Sequence, residues 1–184
     1  MTTTNWALDP AHSEVLFKVR HLMISNVTGS FRKYAGTVET NGDDLSTTKV
    51  HFSADIDSIT TNQEQRDAHL LSGDFFDQAA YPQLTFESER LEKVDQGNYH
   101  LHGILTMRGV SKPITLKVEA SPVVTDPYGQ TKIGFTVSGT LNRKDFGVSW
   151  DAVTEAGGVV VSNEVRLNAE VQFVKQAAVV EVAA

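Results

Sequence analysis

Alternation with a period of two is the feature that most limits what this chain can fold into. Between His12 and Leu22, Ser13, Val15, Phe17, Val19 and His21 fall on one side and Glu14, Lys18 and Arg20 on the other. Successive side chains of a strand point to opposite faces, so this stretch reads as a half-buried strand with His21 turned inward. The same period runs through Val50, Phe52, Ala54 and Ile56; through Leu84, Phe86 and Ser88; and through Tyr99, Leu101, Gly103, Leu105 and Met107. It returns in Ile114, Leu116, Val118 and Ala120, in Ile133, Phe135, Val137, Gly139 and Leu141, and in Val165, Leu167, Ala169, Val171 and Phe173. Residues 27–40 make a less regular strand, expected to bulge near Tyr34-Ala35-Gly36, which brings the expected strands to eight.

One segment departs from the pattern. NQEQRDAHLL, residues 62–71, is rich in helix formers, offers Asn62 as an N-cap, and sets Arg66, His69 and Leu70 at helical spacing. Turn-forming DQGN (95–98) and DPYG (126–129) separate strands at hairpin distance, so neighbours are expected to be antiparallel. Strands with one apolar face each can cover it by closing into a barrel or by stacking as a two-sheet sandwich, and the barrel is the expected solution. An eight-stranded barrel is just wide enough to be filled by side chains or to hold one small ligand. Small inward residues on six strands, Ala54, Ser88, Gly103, Ala120, Gly139 and Ala169, fit either outcome.

Composition removes several classes of function. Without cysteine there is no thiolate chemistry, iron–sulfur cluster or disulfide scaffold. A net charge of −7, from 16 basic and 23 acidic side chains, disfavours nucleic acid, whose phosphates are bound by clustered cations. The run AAVVEVAA is interrupted by Glu181 and falls far short of the ~20 residues of a membrane helix, so no membrane span is expected. MTTTNWALDPAHSEV shows neither the basic nor the apolar region of a secretory signal; the expected compartment is the cytoplasm, or the periplasm if a signal has been removed.

The candidates for chemistry are few. His100 and His102 share a strand face and could share a metal, but that face also carries Thr106 and Arg108, and no third ligand stands at a motif spacing. No metal or cofactor is therefore expected. A buried His21 needs a hydrogen-bond partner and is either a satisfied core residue or a polar contact at a cavity mouth. Arg66 and His69, near Asp67 and Asp74, form either an ion-pair network or a gate over that mouth. Arg143, in NRKDFG, pairs with Asp145 or a helix-side acid, or else faces an anionic headgroup. Ser13 beside His12 lacks nucleophile-elbow glycines, Asp55 and Asp57 alternate outward, and Gly157-Gly158 lacks the lysine of a phosphate-binding loop, so no catalytic residue is assigned.

LDPAHSEVLFKVRHL, VTGSFRKYAGTV, RDAHLLSGDFF, YPQLTF, LHGILTMRGVSKPITL and LNRKDFGV, taken in order, resemble the YceI-like, polyisoprenoid-binding proteins. The resemblance covers residues 1–175 as one domain and leaves 176–184 as a tail. It implies an all-β, eight-stranded antiparallel lipocalin-like barrel with one short helix packed against it, and a homodimer. An interior tunnel would hold a polyprenyl phosphate or pyrophosphate, an isoprenoid quinone or a similar amphiphile, for carriage, storage or sequestration rather than turnover. Phe17, Val19, Phe31, Phe52, Leu101, Leu105, Phe135, Val137 and Phe173 would line that tunnel, and His21, Arg66, His69 and Arg143 occupy polar positions of the matched stretches. The alternatives are an enzyme using His21 or His69 as acid or base at the mouth, and a packed structural barrel.

Overall fold

The computed structural model describes residues 2–42, 44–152 and 160–178. Gly157-Gly158, Glu181 and the end of the apolar run it interrupts lie outside them, as does most of the 176–184 tail.

Eight long antiparallel strands close into a barrel, and the first three are interrupted. The first comprises β1 (Thr3–Leu8), a 3-10 turn at Pro10–His12, and β2 (Glu14–His21). Pro10 cannot donate to a ladder, and Asp9 stabilises the break: its carboxylate accepts from Ala11 N at 3.0 Å and contacts His12 Nδ1 at 2.8 Å. The second strand returns as β3 (Ser25–Phe31) and β4 (Tyr34–Asn41); the third is β5 (Asp44–Asp55), continued past a 3-10 turn by β6 (Ile59–Thr60). After the helix α1 (Glu64–Leu71) come β7 (Gln83–Asp95), β8 (Asn98–Met107), β9 (Val110–Ala120), the short β10 (Val124–Thr125), β11 (Thr131–Asn142) and β12 (Glu164–Lys175).

The ring runs β1-β4-β5-β7-β8-β9-β11-β12 and back to β1. β12 closes it, pairing along β11 from Lys132↔Val174 to Asn142↔Glu164 on one side. On its other side it pairs with β1 near Phe173 and with β2 near Leu167. One end of the barrel, the helix end, carries α1, the β2–β3 hairpin and the segment after β11; the turn end carries the β7–β8 turn and β10.

Three expectations need correction. β1 is a strand that the alternation of the rest did not announce, because only Trp6 and Leu8 give it large inward residues. The second strand breaks at Arg32-Lys33 rather than bulging at Tyr34-Ala35-Gly36. The helix is capped by Gln63, whose side chain accepts from Arg66 N at 2.6 Å, while Asn62 takes a left-handed φ of 61° and serves the turn before it. Among the described residues no helix is long and apolar enough to cross a membrane.

A bulge decides the second half of β7. Ser88 pairs with Gly103 and Arg90 with His102, so Glu89 is the extra residue. A one-residue slip exchanges the two faces of a strand, and beyond it Leu91 points inward while Arg90 and Glu92 point out.

Candidate functional site

Inward side chains of all eight strands enclose a cavity of about 990 Å³. Val165, Leu167, Ala169, Val171 and Phe173 of β12 all border it, a run of about 26 Å at roughly 3.3 Å per residue. It therefore reaches from the turn end, at Trp6, Thr40, Gln96 and Val123, to the helix end, at Thr61, Arg66, His69 and Trp150.

Of the two outcomes that the small inward residues left open, most of them take the packed one. A Cβ at Gly103 would lie 2.5 Å from Phe86 Cζ, and one at Gly139 would lie 2.7 Å from Leu116 Cδ2. Those glycines are filled by neighbouring side chains, Ala54 is fully buried within the packed core, and Ser88 Oγ accepts from Val50 N. Of the six small residues only Ala120 and Ala169 border the cavity.

All thirteen candidate residues border it. Phe17, Val19 and His21 come from β2, Phe31 from β3, Phe52 from β5, Leu101 and Leu105 from β8, Phe135 and Val137 from β11, and Phe173 from β12. Arg66 and His69 project from α1, and Arg143 opens the 3-10 turn Arg143–Phe146. Aromatic rings meet at both levels: Phe17 and Phe31 have centroids 5.8 Å apart, and Phe135 and Phe173 stand edge to face at 5.8 Å.

The helix end is fixed by polar contacts. Arg66 donates through Nε to Thr61 Oγ1 at 2.7 Å and through Nη2 to Thr61 O at 2.9 Å. The Asp67 carboxylate accepts from the same threonine's N at 2.8 Å and Oγ1 at 2.5 Å. The expected network thus runs through Thr61, which no spacing rule marks. His69 Nε2 lies 2.8 Å from Asp74 Oδ2, and its ring meets Phe75 and Trp150 edge-on at 5.0 and 5.1 Å. Both aromatics sit in irregular segments, where periodicity is silent.

Arg143 is not paired with Asp145 or a helix-side acid in this structure. It is 3% exposed, and its guanidinium donates to four backbone carbonyls: Ser162 at 2.9 Å, Val148 at 2.8 Å, Trp150 at 2.7 Å and Val161 at 3.3 Å. Burial pushes its pKa down, and the charge of Asp151 opposes that shift. The residue ties the segment after β11 to the one before β12, so its contact with the cavity is that of a clamp. Arg108, in the β8–β9 turn, performs a similar service by donating to Gly147 O and, at 2.8 Å, to Gly73 O.

Charge at the cavity is one-sided. Arg20, Arg66 and Arg143 border it, all at the helix end, and among the described residues no aspartate or glutamate does. In a chain with an acidic excess this places positive potential at one end of an otherwise apolar tube.

Similar proteins share this architecture. Residues 6–173 match the model of the YceI-like domain. The UPF0312 protein SA2479 of Staphylococcus aureus strain N315 is 35% identical over 171 residues, 92% of this chain and 97% of that protein. The crystal structure of the Campylobacter jejuni YCEI protein is 34% identical and superposes with a TM-score of 0.75 over 87% of this chain and 91% of that one. A polyisoprenoid binding domain from Saccharophagus degradans, implicated in plant cell wall breakdown, shares the fold at 16% identity, with a TM-score of 0.71 over 93% of this chain and 98% of that one. With residues 6–173 matched by the family model and a relative 35% identical over 92% of the chain, the chain belongs to the YceI-like family.

Proposed function

We propose that the barrel binds one long-chain isoprenoid lipid, a polyprenyl phosphate or pyrophosphate or an isoprenoid quinone, and holds it for carriage, storage or sequestration without altering it. The observation that carries this reading is the cavity itself, apolar along about 26 Å of strand and cationic at one end. Its volume lies at the upper limit of the ~300–1,000 Å³ typical of small-molecule sites. The Saccharophagus degradans domain of the same fold, described as polyisoprenoid binding, supports the ligand class.

Burying the chain contributes about 25 cal/mol per Å² of apolar surface, offset by the cost of ordering it. The polar head sits at the helix end, where the Arg66 guanidinium and the His21 and His69 rings replace part of its lost hydration. Phe17, Val19, Phe31, Phe52, Leu101, Leu105, Phe135, Val137 and Phe173 contact the chain, and Arg143 holds the wall beside the head. His69 serves the wall as well, since its ring packs edge-on against both Phe75 and Trp150 and its Nε2 is taken by Asp74. The working unit in this reading is a homodimer.

Native mass spectrometry of the purified protein, followed by organic extraction, tests both parts. The expected result is a long-chain amphiphile in one-to-one ratio with each chain of a dimer. Protein that is isolated without lipid and ignores added prenyl chains would overturn the binding reading, and turnover of an added isoprenoid would replace it with an enzyme.

A further inference from the structure

The outer wall of the barrel brings together a donor set that the cavity does not use. Glu92 of β7 and His100 and His102 of β8 each offer one ligand atom, and these atoms all lie within 4.8 Å of one another. Two imidazoles and a carboxylate are a donor set of zinc sites that keep a fourth position open, and imidazole also suits copper and nickel. We propose that Glu92, His100 and His102 form a surface site for a late first-row divalent cation, with zinc the best match to the donors and water completing the coordination.

Three features show how the set is assembled. The bulge at Glu89 turns Glu92 outward; in unbroken register with Ser88 it would face the interior. Pairing then places Glu92 directly opposite His100 and diagonal to His102, whose Nε2 is already 2.8 Å from Glu92 Oε2. Finally, Thr115 on β9 meets His102 Nδ1 at 3.0 Å, which fixes that ring with Nε2 directed at the carboxylate, as outer partners do for metal-bound histidines. A ring held at one nitrogen and aimed with the other at a carboxylate needs little reorganisation to take a cation between them.

Two cations border the set. Arg90 Nη2 lies 3.3 Å from His102 Nε2, and Lys117 pairs across the ladder with His100. Both side chains end in solvent; Arg90 is 64% exposed, so its guanidinium can withdraw when a metal ion replaces it as the charge beside Glu92. Both charges oppose a bound cation, and added salt screens that repulsion.

Calorimetric titration of the full chain with zinc chloride, after treatment with a chelator, tests the site. The wild-type protein should show one saturable event per chain. His100→Ala should weaken it at least about tenfold, or about 1.4 kcal/mol, and Glu92→Gln should weaken it too. Substituting cobalt gives an independent reading: the visible bands of a low-coordinate ion should appear in the wild type and fade in His100→Ala. His100 has the fewest structural contacts of the three, and a matching melting temperature confirms that the variant folds. The absence of saturable binding by wild-type protein, or undiminished binding by His100→Ala, would overturn the proposal.

Discussion

At the turn end of the cavity the polar groups carry no charge, and three of them are hydroxyls bonded to nearby backbone carbonyls, whereas the helix end carries guanidiniums. Thr40 Oγ1 donates to Gly42 O at 2.9 Å, Thr48 Oγ1 to Leu45 O at 2.6 Å and Ser121 Oγ to Pro122 O at 2.9 Å. Each bond is local, and none of the three groups brings charge to that end. At the helix end Arg20, Arg66 and Arg143 are also bonded to backbone or hydroxyl oxygens, but those partners are neutral and the positive charge persists. Satisfying a hydrogen bond and neutralising a charge are thus separate matters, and only the second gives a tube a direction.

The largest test of this contrast removes the clamp. Arg143→Met leaves carbonyls of Ser162, Val148 and Trp150 without their donor and should cost about 3 kcal/mol. That loss lowers the melting temperature by about 6–12 °C for a chain of this size. Thr48→Val at the opposite end removes one local bond and should cost about 1 kcal/mol. Equal losses would erase the structural difference between the ends.

A plug between the ends comes next. Ala169→Trp, halfway along β12, should leave the fold intact and reduce the affinity for long prenyl chains at least about tenfold, or 1.4 kcal/mol, with short analogues affected less. A fluorescent prenyl probe series would show it, and undiminished affinity for the longest chains would mean that they do not pass the midpoint. Arg66→Gln should then weaken an anionic-headed ligand about tenfold, in line with the ~1.5–3 kcal/mol of a hydrogen bond to a charged group, while Gln96→Ala changes little. If both variants bound a phosphate-headed and a plain chain equally well, the direction assigned to the ligand would be wrong.

The smallest effect is on acid stability. A hydrogen bond from Lys144 holds the Asp151 carboxyl below its usual range at the helix end; a backbone N–H of Gln130, aided by Lys132, does so for Asp126 at the turn end. With folded pKa values below the unfolded ones, their contribution is complete above about pH 4. It is lost as pH falls through the lower, folded values. Asp151→Asn and Asp126→Asn should each flatten the fall in melting temperature between neutral and acid pH; unchanged slopes would remove both ion pairs from the account.

Much of the wall was legible in the sequence, because a strand with one buried face writes its direction residue by residue. Phe135, Val137 and Phe173 could be assigned inward from parity alone. Whether inward space is filled could not be read, since it depends on which side chain lies across the ladder: Gly103 and Gly139 fitted an opening or a packed wall alike, and Phe86 and Leu116 occupy them. Arg143 was legible as a cation near the site but not as a clamp, because its partners are carbonyls, which every residue carries. Glu92 escaped for a related reason. Its place beside His100 depends on a bulge, and a single extra residue inverts the pattern on which the reading rests.

β12 also sets the order of events during synthesis. It is the last strand among the described residues, yet it supplies partners to β1, β2 and β11, joining Leu8 to Phe173 across nearly the whole sequence. Until it leaves the ribosome, β1 and β11 both present open edges, and such edges invite pairing with other chains. The nascent protein therefore spends most of its synthesis as an unclosed sheet, and truncation before Glu164 should yield aggregation rather than a smaller barrel. Folding is expected to be slow for the chain's size, because its decisive contacts are its most distant ones.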